Sequence, residues 1–385
     1  MLNTKTSTRW LHVLAGLLTL MLAGPANARP LQQEATQPRR IDVVIALDVS
    51  GSMDGLIDSA KQRLWDIVNE LGRAQPQPEL RMAILSYGNP DYGSESGFVR
   101  VDLPFTNDLD AVNRTLFEFR TNGGDEYVAR VVDTALNHLA WSSGTDALRV
   151  LFVAGNEGAN QDPQIPVMLA TEAAARRGII VNTIYCGSES DGDASVWRKV
   201  ATSTNGIFAS ISQDAAAVAN IQTPMDDQLA VLNEELNDTY VAYGQTGDAF
   251  RENQIEQDKN AADMSAPAMA SRAAAKASPL YKSESWDLID AVNSGKSLEE
   301  VAVKDLPGAM QDMEADERTI FVEQKSKKRD EIQGRIQAIA EERRDYIQEE
   351  RARLADDDAK GLDEVIQEGL QALAEEKGFT FSESE

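Results

Sequence analysis

From Ile41 to about residue 210, short apolar runs alternate with amphipathic stretches, and this alternation narrows the choice of fold more than any other feature. The runs are IDVVIALD, LRMAILSY, GFVRVDLPF, LRVLFVAG, GIIVNTIYC and the short GIFASI. Several are apolar throughout, as strands covered on both faces are. After the first run, Leu56, Ile57, Ala60, Leu64, Ile67, Val68 and Leu71 recur at helical spacing until Gly72 stops them. Val128, Val131, Val132, Ala135, Leu136 and Leu139 repeat the pattern behind NGGDE, and the segments 168–175 and 196–201 end at Gly178 and near Gly206. Strands alternating with helices predict an α/β fold over residues 41–212: a doubly wound, mostly parallel sheet with helices on both faces.

Beyond residue 212 the pattern changes. Residues 213–244 read as a helical extension broken at Pro224. Residues 245–279 are rich in Ala, Asn, Gln, Asp and Ser, with prolines at 267 and 279. They offer few large apolar groups to offset ordering entropy, and so read as a weakly packed connection with some helix. Residues 280–385 form a helical C-terminal region. Its segment 310–355 is highly charged, and its stripe of Ile332, Ile336, Ile339, Tyr346, Ile347 and Leu354 is interrupted by Arg343 and Glu350. DDDAKG at 356–361 breaks the helix before Leu362, Val365, Ile366, Leu370 and Leu373 resume the stripe. An antiparallel helical hairpin with a narrow, coiled-coil-like seam is the economical arrangement. The alternative is a single solvated helix held by Glu–Arg and Glu–Lys pairs.

The first 28 residues are not fold material. Lys5 and Arg9 precede WLHVLAGLLTLMLAG, and Ala26 and Ala28 supply an A-x-A cleavage signal, the pattern of a secretory signal peptide. Residues 29–40 then read as a linker. The apolar core is short for a membrane span, so no stable membrane insertion is expected after cleavage. The chain holds 37 basic and 63 acidic residues, a net charge of −26. Such a surface is repelled by phosphates, which argues against nucleic acid as a partner. Cys186 is the sole cysteine, so no intramolecular disulfide can form. An exported protein without disulfides points to a bacterial periplasm or exterior.

The first apolar run ends in DVSGSM, where Asp48, Ser50 and Ser52 alternate with Val49 and Gly51. In an open parallel sheet, ligands sit outside the carboxyl ends of the strands, so this loop lies on the binding edge. Alternate residues of an extended or tightly turning backbone can share one side. A carboxylate and two hydroxyls are hard oxygen donors, suited to Mg²⁺, Mn²⁺ or Ca²⁺ and unsuited to thiol-loving metals.

With its strand before and helix after, DVSGSM resembles the D-x-S-x-S motif of the von Willebrand factor type A domain, part of that family's metal-ion-dependent adhesion site. The resemblance covers roughly residues 38–212. It implies that Ser50 and Ser52 bind metal directly, with Asp48 in close support or acting through water. The family adds a Thr from a second loop and an Asp from a third. Here TNGGDEYV puts Asp125 where the family most often has Thr, and FVAGNEG puts Gly155 at the third-loop acid. One acid is lost and another gained, so Asp125 is expected to compensate as a metal ligand, helped by Glu157 or by Asn156 through water. The competing reading makes Asp125 and Glu126 acids at a helix N-terminus, favoured by the dipole. Two further loops share the edge. SYGNPDYGSESGF offers Tyr87, Asn89, Asp91 and Tyr92 as a rim, and CGSESDGDAS carries Glu189, Asp191 and Asp193.

Catalytic machinery is scarce. His138 is the only histidine after the leader, and neither a nucleophile elbow nor a P-loop occurs. The sequence therefore reads as an exported, non-enzymatic binding module whose metal-bearing edge and helical C-terminal region both meet proteins, an acidic side chain of a partner completing the metal site where Asp125 only caps its helix. The alternative is a scaffolding protein that assembles through its C-terminal helices, its metal site vestigial or merely stiffening a loop.

Overall fold

The computed structural model describes residues 39–211, 221–354 and 362–381. The expected signal peptide, most of the linker and the DDDAKG break lie outside the described residues. Residues 38–385 group as one compact unit. Among the described residues no helix is long and apolar enough to cross a membrane.

Each apolar run becomes a strand: β1 (Arg40–Asp48), β3 (Glu79–Tyr87), β4 (Val99–Thr106), β5 (Leu148–Gly155), β6 (Ile180–Tyr185) and β7 (Phe208–Ser210), with the two-residue β2 (Ala74–Gln75) between the first two. The sheet order is β4-β3-β1-β5-β6-β7, parallel throughout except for β4, which runs antiparallel to β3 at the edge. The chain winds outward from β1 in one direction and then, from β5, in the other. That reversal puts a crevice at the carboxyl ends of the central strands.

The period of two along β1 divides the core. Ile41, Val43, Ile45 and Leu47 join one buried cluster, and Val44 and Ala46 join the other. The second cluster is covered by α3 (Val128–His138), α4 (Val167–Arg176) and α5 (Ala194–Thr202). The first is covered by α1 (Asp54–Gly72) and α2 (Leu109–Glu118). The fold is the doubly wound α/β arrangement expected from the alternation, followed by a helical region.

That region is α6 (Asp226–Asn237), α7 (Gly247–Met264), α8 (Ala266–Lys276), α9 (Leu288–Asn293), the short α10 (Gly308–Gln311), the 40-residue α11 (Ala315–Leu354) and α12 (Leu362–Glu376), closed by β8 (Thr380–Phe381), which pairs antiparallel with β2. Two expectations fail here. Residues 245–279 are not weakly packed, because they form α7 and α8. Ala268, Ala270, Ala273 and Ala275 of α8 are buried where it meets α1, α6, α7 and α11. Small side chains let α8 approach all four neighbours, which bring the apolar bulk that α8 lacks.

The narrow seam between the two charged helices is also replaced. α11 packs on α6, α8 and α9, while α12 packs on α1. Ile332 and Ile336 of the first and Ile366, Leu370 and Leu373 of the second all enter the cluster on the α1 face of the sheet. Arg343, which interrupts the apolar stripe, turns inward instead. Its Nε donates to Asp226 Oδ1 at 2.7 Å, and Nη1 and Nη2 reach the Ser271 hydroxyl and the Pro267 carbonyl.

Beneath α8 lies a fully buried ionic cluster. Arg272 Nη1 donates to Asp110 Oδ1 of α2 at 2.7 Å and Nε to Asp258 Oδ1 of α7 at 2.5 Å. Lys276 Nζ donates to Asp258 Oδ2 at 2.9 Å, and Tyr281 donates to the other oxygen of Asp110 at 2.5 Å. The guanidinium of Arg272 also sits 4.7 Å from the ring centroid of Trp65 in α1. Burial opposes ionisation of Asp258, but Lys276, Arg272, Asn237 and Asn233 outweigh it and hold this carboxyl well below the usual range. Burial is the largest influence on Lys276 and brings its ammonium down to about 8, Asp258 pushing the other way and Arg272 adding to the fall.

Candidate functional site

Asp48, Tyr87 and Gly155 are the last residues of β1, β3 and β5, so the sheet itself brings them to one edge. Asp48 pairs in register with Tyr87, and Leu47 with Ala154. From there Val49–Met53 turns into α1. The Ser50 N–H donates to Asp48 Oδ1 at 2.7 Å, and the Ser50 and Ser52 hydroxyl oxygens lie 3.5 Å apart. Neither serine caps α1 with its side chain: the helix begins at Asp54, with Met53 at the cap position and no side-chain cap bond. A D-x-S-x-S stretch that merely capped a helix would give its hydroxyls to the N–H groups of the first turn. These hydroxyls face the edge instead.

The second loop is tied down onto this turn. The Asn122 N–H donates to the Val49 carbonyl at 2.9 Å, and Thr121 donates to Asp54 Oδ1 at 2.7 Å. The loop sends its two acids in different directions. Asp125 is exposed, and its Oδ2 accepts from the Tyr127 hydroxyl at 3.3 Å. Glu126 is only 7% exposed and lies against Asp48. The acid that the loop brings to Asp48 is therefore the residue after the one singled out from the sequence. Neither acid makes a side-chain cap on α3, whose cap position is Tyr127.

The two buried carboxylates are under-satisfied. Asp48 Oδ2 and Glu126 Oε2 are both buried without a hydrogen-bond donor. Burial is the main force raising both pKa values, Asp48 to about 6 and Glu126 to about 8. The Asp48 charge adds to the rise at Glu126, while the Ser50 hydroxyl steadies both carboxylates. Two ionised carboxylates cannot donate to each other, so a shared proton or a cation between them is what satisfies both. Gly88 makes their approach possible. It has φ +80°, and a β-carbon there would stand 2.7 Å from Asp48 Oδ1 and 3.0 Å from Glu126 Cγ.

At the third loop, the place of an acid is filled from the side. A β-carbon on Gly155 would collide with the Tyr87 hydroxyl and come within 3.3 Å of Asp48 Oδ2. Tyr87, expected on the rim, is instead fully buried, and its hydroxyl donates to the Ala154 carbonyl at 2.9 Å. Restoring an acid with Gly155→Asp is expected to destabilise the protein by about 1–3 kcal/mol, because Tyr87 must be displaced from a packed position. A thermal melt beside wild type reads this, and an unchanged midpoint would show that Tyr87 yields freely. Asn156 Nδ2 donates to Ser52 Oγ at 2.9 Å, while Glu157 is exposed and accepts from Gln161.

The remaining edge groups have structural partners. Asn89 Oδ1 accepts from the Asp91 N–H at 3.0 Å, and Tyr92 accepts from Ser86. Asp191 accepts from the Ser188 N–H, and Glu189 pairs with Arg198. His138 is exposed at the end of α3, away from any such cluster. Cys186 is buried, and burial with the Asp48 charge pushes its thiol up to about 12. Among the described residues no three His, Cys, Asp or Glu side chains gather as a metal cluster. The edge combines two carboxylates with two hydroxyls instead.

Residues 42–224 match the von Willebrand factor type A domain. Solved structures similar to this chain include proximal thread matrix protein 1 (PTMP1) from the mussel byssus, with a zinc occupied MIDAS motif, at 12% identity over 46% of this chain and 43% of that one, TM-score 0.37. A von Willebrand factor type A protein from Catenulispora acidiphila is 18% identical over 47% of this chain and 41% of its own, TM-score 0.34. The SpRpn10 VWA domain is 12% identical over 45% of this chain and 89% of its own, TM-score 0.33. This chain thus spans less than half the length of the first two. No curated protein matches it. On the family match and the sheet it describes, residues 42–224 of this chain are a von Willebrand factor type A domain, continued by helices that pack against it.

Proposed function

We propose that this protein is a non-enzymatic binding module that holds a divalent cation (Mg²⁺, with Mn²⁺ or Ca²⁺ as alternatives) at the carboxyl end of β1 and meets a protein partner across that edge. The observation that carries this reading is the pair of buried, donorless oxygens, Asp48 Oδ2 and Glu126 Oε2, beside the uncapping hydroxyls of Ser50 and Ser52. Such a set fits a hard cation, since carboxylate and hydroxyl oxygens are what Mg²⁺ and Ca²⁺ take. A bound cation supplies positive charge that relieves the repulsion of buried carboxylates. Asp48, Ser50 and Ser52 hold it from the first loop, and the second loop supplies a further carboxylate. Thr121 and Asn122 keep that second loop against the first.

The scaffolding alternative drew on the C-terminal helices. Their apolar residues Ile332, Ile336, Ile366, Leu370 and Leu373 are used inside the chain, which favours the binding-module reading. Export to a bacterial periplasm or exterior belongs to the same proposal and is supported by the basic, apolar and A-x-A pattern of residues 1–28.

Calorimetric titration of the protein with Mg²⁺, Mn²⁺ and Ca²⁺ tests the cation site, with Ser50→Ala as the matched variant. Wild type is expected to bind at least one of the three, and Ser50→Ala is expected to weaken binding by about tenfold or more. Absence of binding in wild type would end the metal reading and return the scaffolding role to first place.

A further inference from the structure

The loop that brings Glu126 to Asp48 has a consequence for what the edge can capture. A cation held only by hydroxyls and one carboxylate stays under-neutralised and draws a carboxylate from outside. Here a second carboxylate is already present within the chain, buried and with its Oε2 lacking a donor. Its approach is built in, since only a glycine at 88 leaves room for both Asp48 Oδ1 and Glu126 Cγ. On the other side, the Tyr87 hydroxyl occupies the space beside Gly155 from which a third-loop side chain would reach Asp48.

We propose that Glu126 closes the cation site from within, so that the cation fastens the second loop to the first and does not take up an acidic side chain of a partner. This rests on the cation-binding reading above. The partner then meets the rim around the site, where Asn122 Nδ2 lies 3.4 Å from Asn89 Oδ1 and 3.3 Å from Asp91 Oδ2. Asp125, exposed and bonded to Tyr127, belongs to that rim and not to the cation shell.

The test uses Mn²⁺ alone, titrated calorimetrically into wild type, Glu126→Gln, Glu126→Ala, Asp125→Asn and Ser50→Ala, with a thermal melt of each metal-free variant to verify folding. Glu126→Gln is expected to lower Mn²⁺ affinity at least about tenfold, and Asp125→Asn to stay within about twofold, as a screened surface charge does. Sodium acetate, at matched ionic strength, is expected to restore binding to Glu126→Ala by occupying the vacated carboxylate position, and to leave wild type unchanged. Wild-type affinity that rises with acetate would overturn the proposal by showing a coordination position open to an outside carboxylate. A folded Glu126→Gln variant that binds as wild type does would also overturn it. In that case, weakened binding by Ser50→Ala would leave the cation site itself standing. No Mn²⁺ binding by wild type would remove both.

Discussion

Arg272→Met is expected to destabilise the protein by about 3–5 kcal/mol, the usual cost of stripping one partner from a buried ion pair. Arg272 is fully buried and joins Asp110 of the type A domain to Asp258 of the helical region. Without it, among the described residues Asp110 keeps the Tyr281 hydroxyl, and Asp258 relies on Lys276 and two asparagines. Lys276→Met is expected to cost less, about 1.5–3 kcal/mol, as the loss of a charged hydrogen bond does. The difference follows from the geometry, because Arg272 serves two carboxylates and Lys276 only one. Urea denaturation of both variants gives the comparison, and equal losses would show that Asp110 does not depend on Arg272.

The same cluster sets an acid limit. Asp258 ionises more readily in the folded chain than in the unfolded one, so the unfolded chain binds more protons as the pH drops. Its contribution is complete above the unfolded carboxyl pKa of about 3.9 and is lost progressively as the pH falls below that. Asp258→Asn should flatten this part of the stability curve while lowering stability at neutral pH. A wild-type curve of unchanged slope in the variant would remove Asp258 from the acid limb.

A chain ended at residue 224, the last residue of the family match, is expected to fail as a folded monomer. The match marks a domain by sequence, but the core on the α1 face continues into α6, α8, α11 and α12. Leu229, Leu232 and Leu236 of α6 are almost fully buried in that cluster. Each is worth about 1.5–3 kcal/mol on burial, against a net stability of about 5–15 kcal/mol for a whole domain. The cut also leaves Asp110 buried without its guanidinium and uncovers the face of α1 that α8 and α12 occupy. Size-exclusion chromatography with near-ultraviolet circular dichroism reads the outcome. A monomer with a cooperative melt would show that α1 and α2 suffice to cover the sheet.

The candidate site divides at one residue. Its first loop was legible because Asp48, Ser50 and Ser52 follow a strand whose apolar run fixes where it ends. The second loop was legible only as a place where acids gather. Which acid enters depends on the close approach of Gly124 to the Gly88 carbonyl and on the space that Gly88 leaves next to Asp48, 78 positions before Glu126 in a chain of 385. Tyr87 offered a weaker signal. As the last residue of an apolar run beside the central strand it is placed to be buried, yet reaching the space at Gly155 requires β3 and β5 to flank β1.

By itself, the sequence determined the alternation of strands and helices, the position of the first loop and the acidic character of the edge. These follow from local periodicity and from where each run stops, which short stretches of chain encode. The tertiary structure decided which face of each charged helix is covered, why an alanine-rich stretch packs, and which of two adjacent acids is buried. Those outcomes rest on partners far away in the chain: Asp110 for Arg272, α1 for α12, Gly88 for Glu126. Burial belongs to the pair of surfaces that meet, and no single stretch carries both.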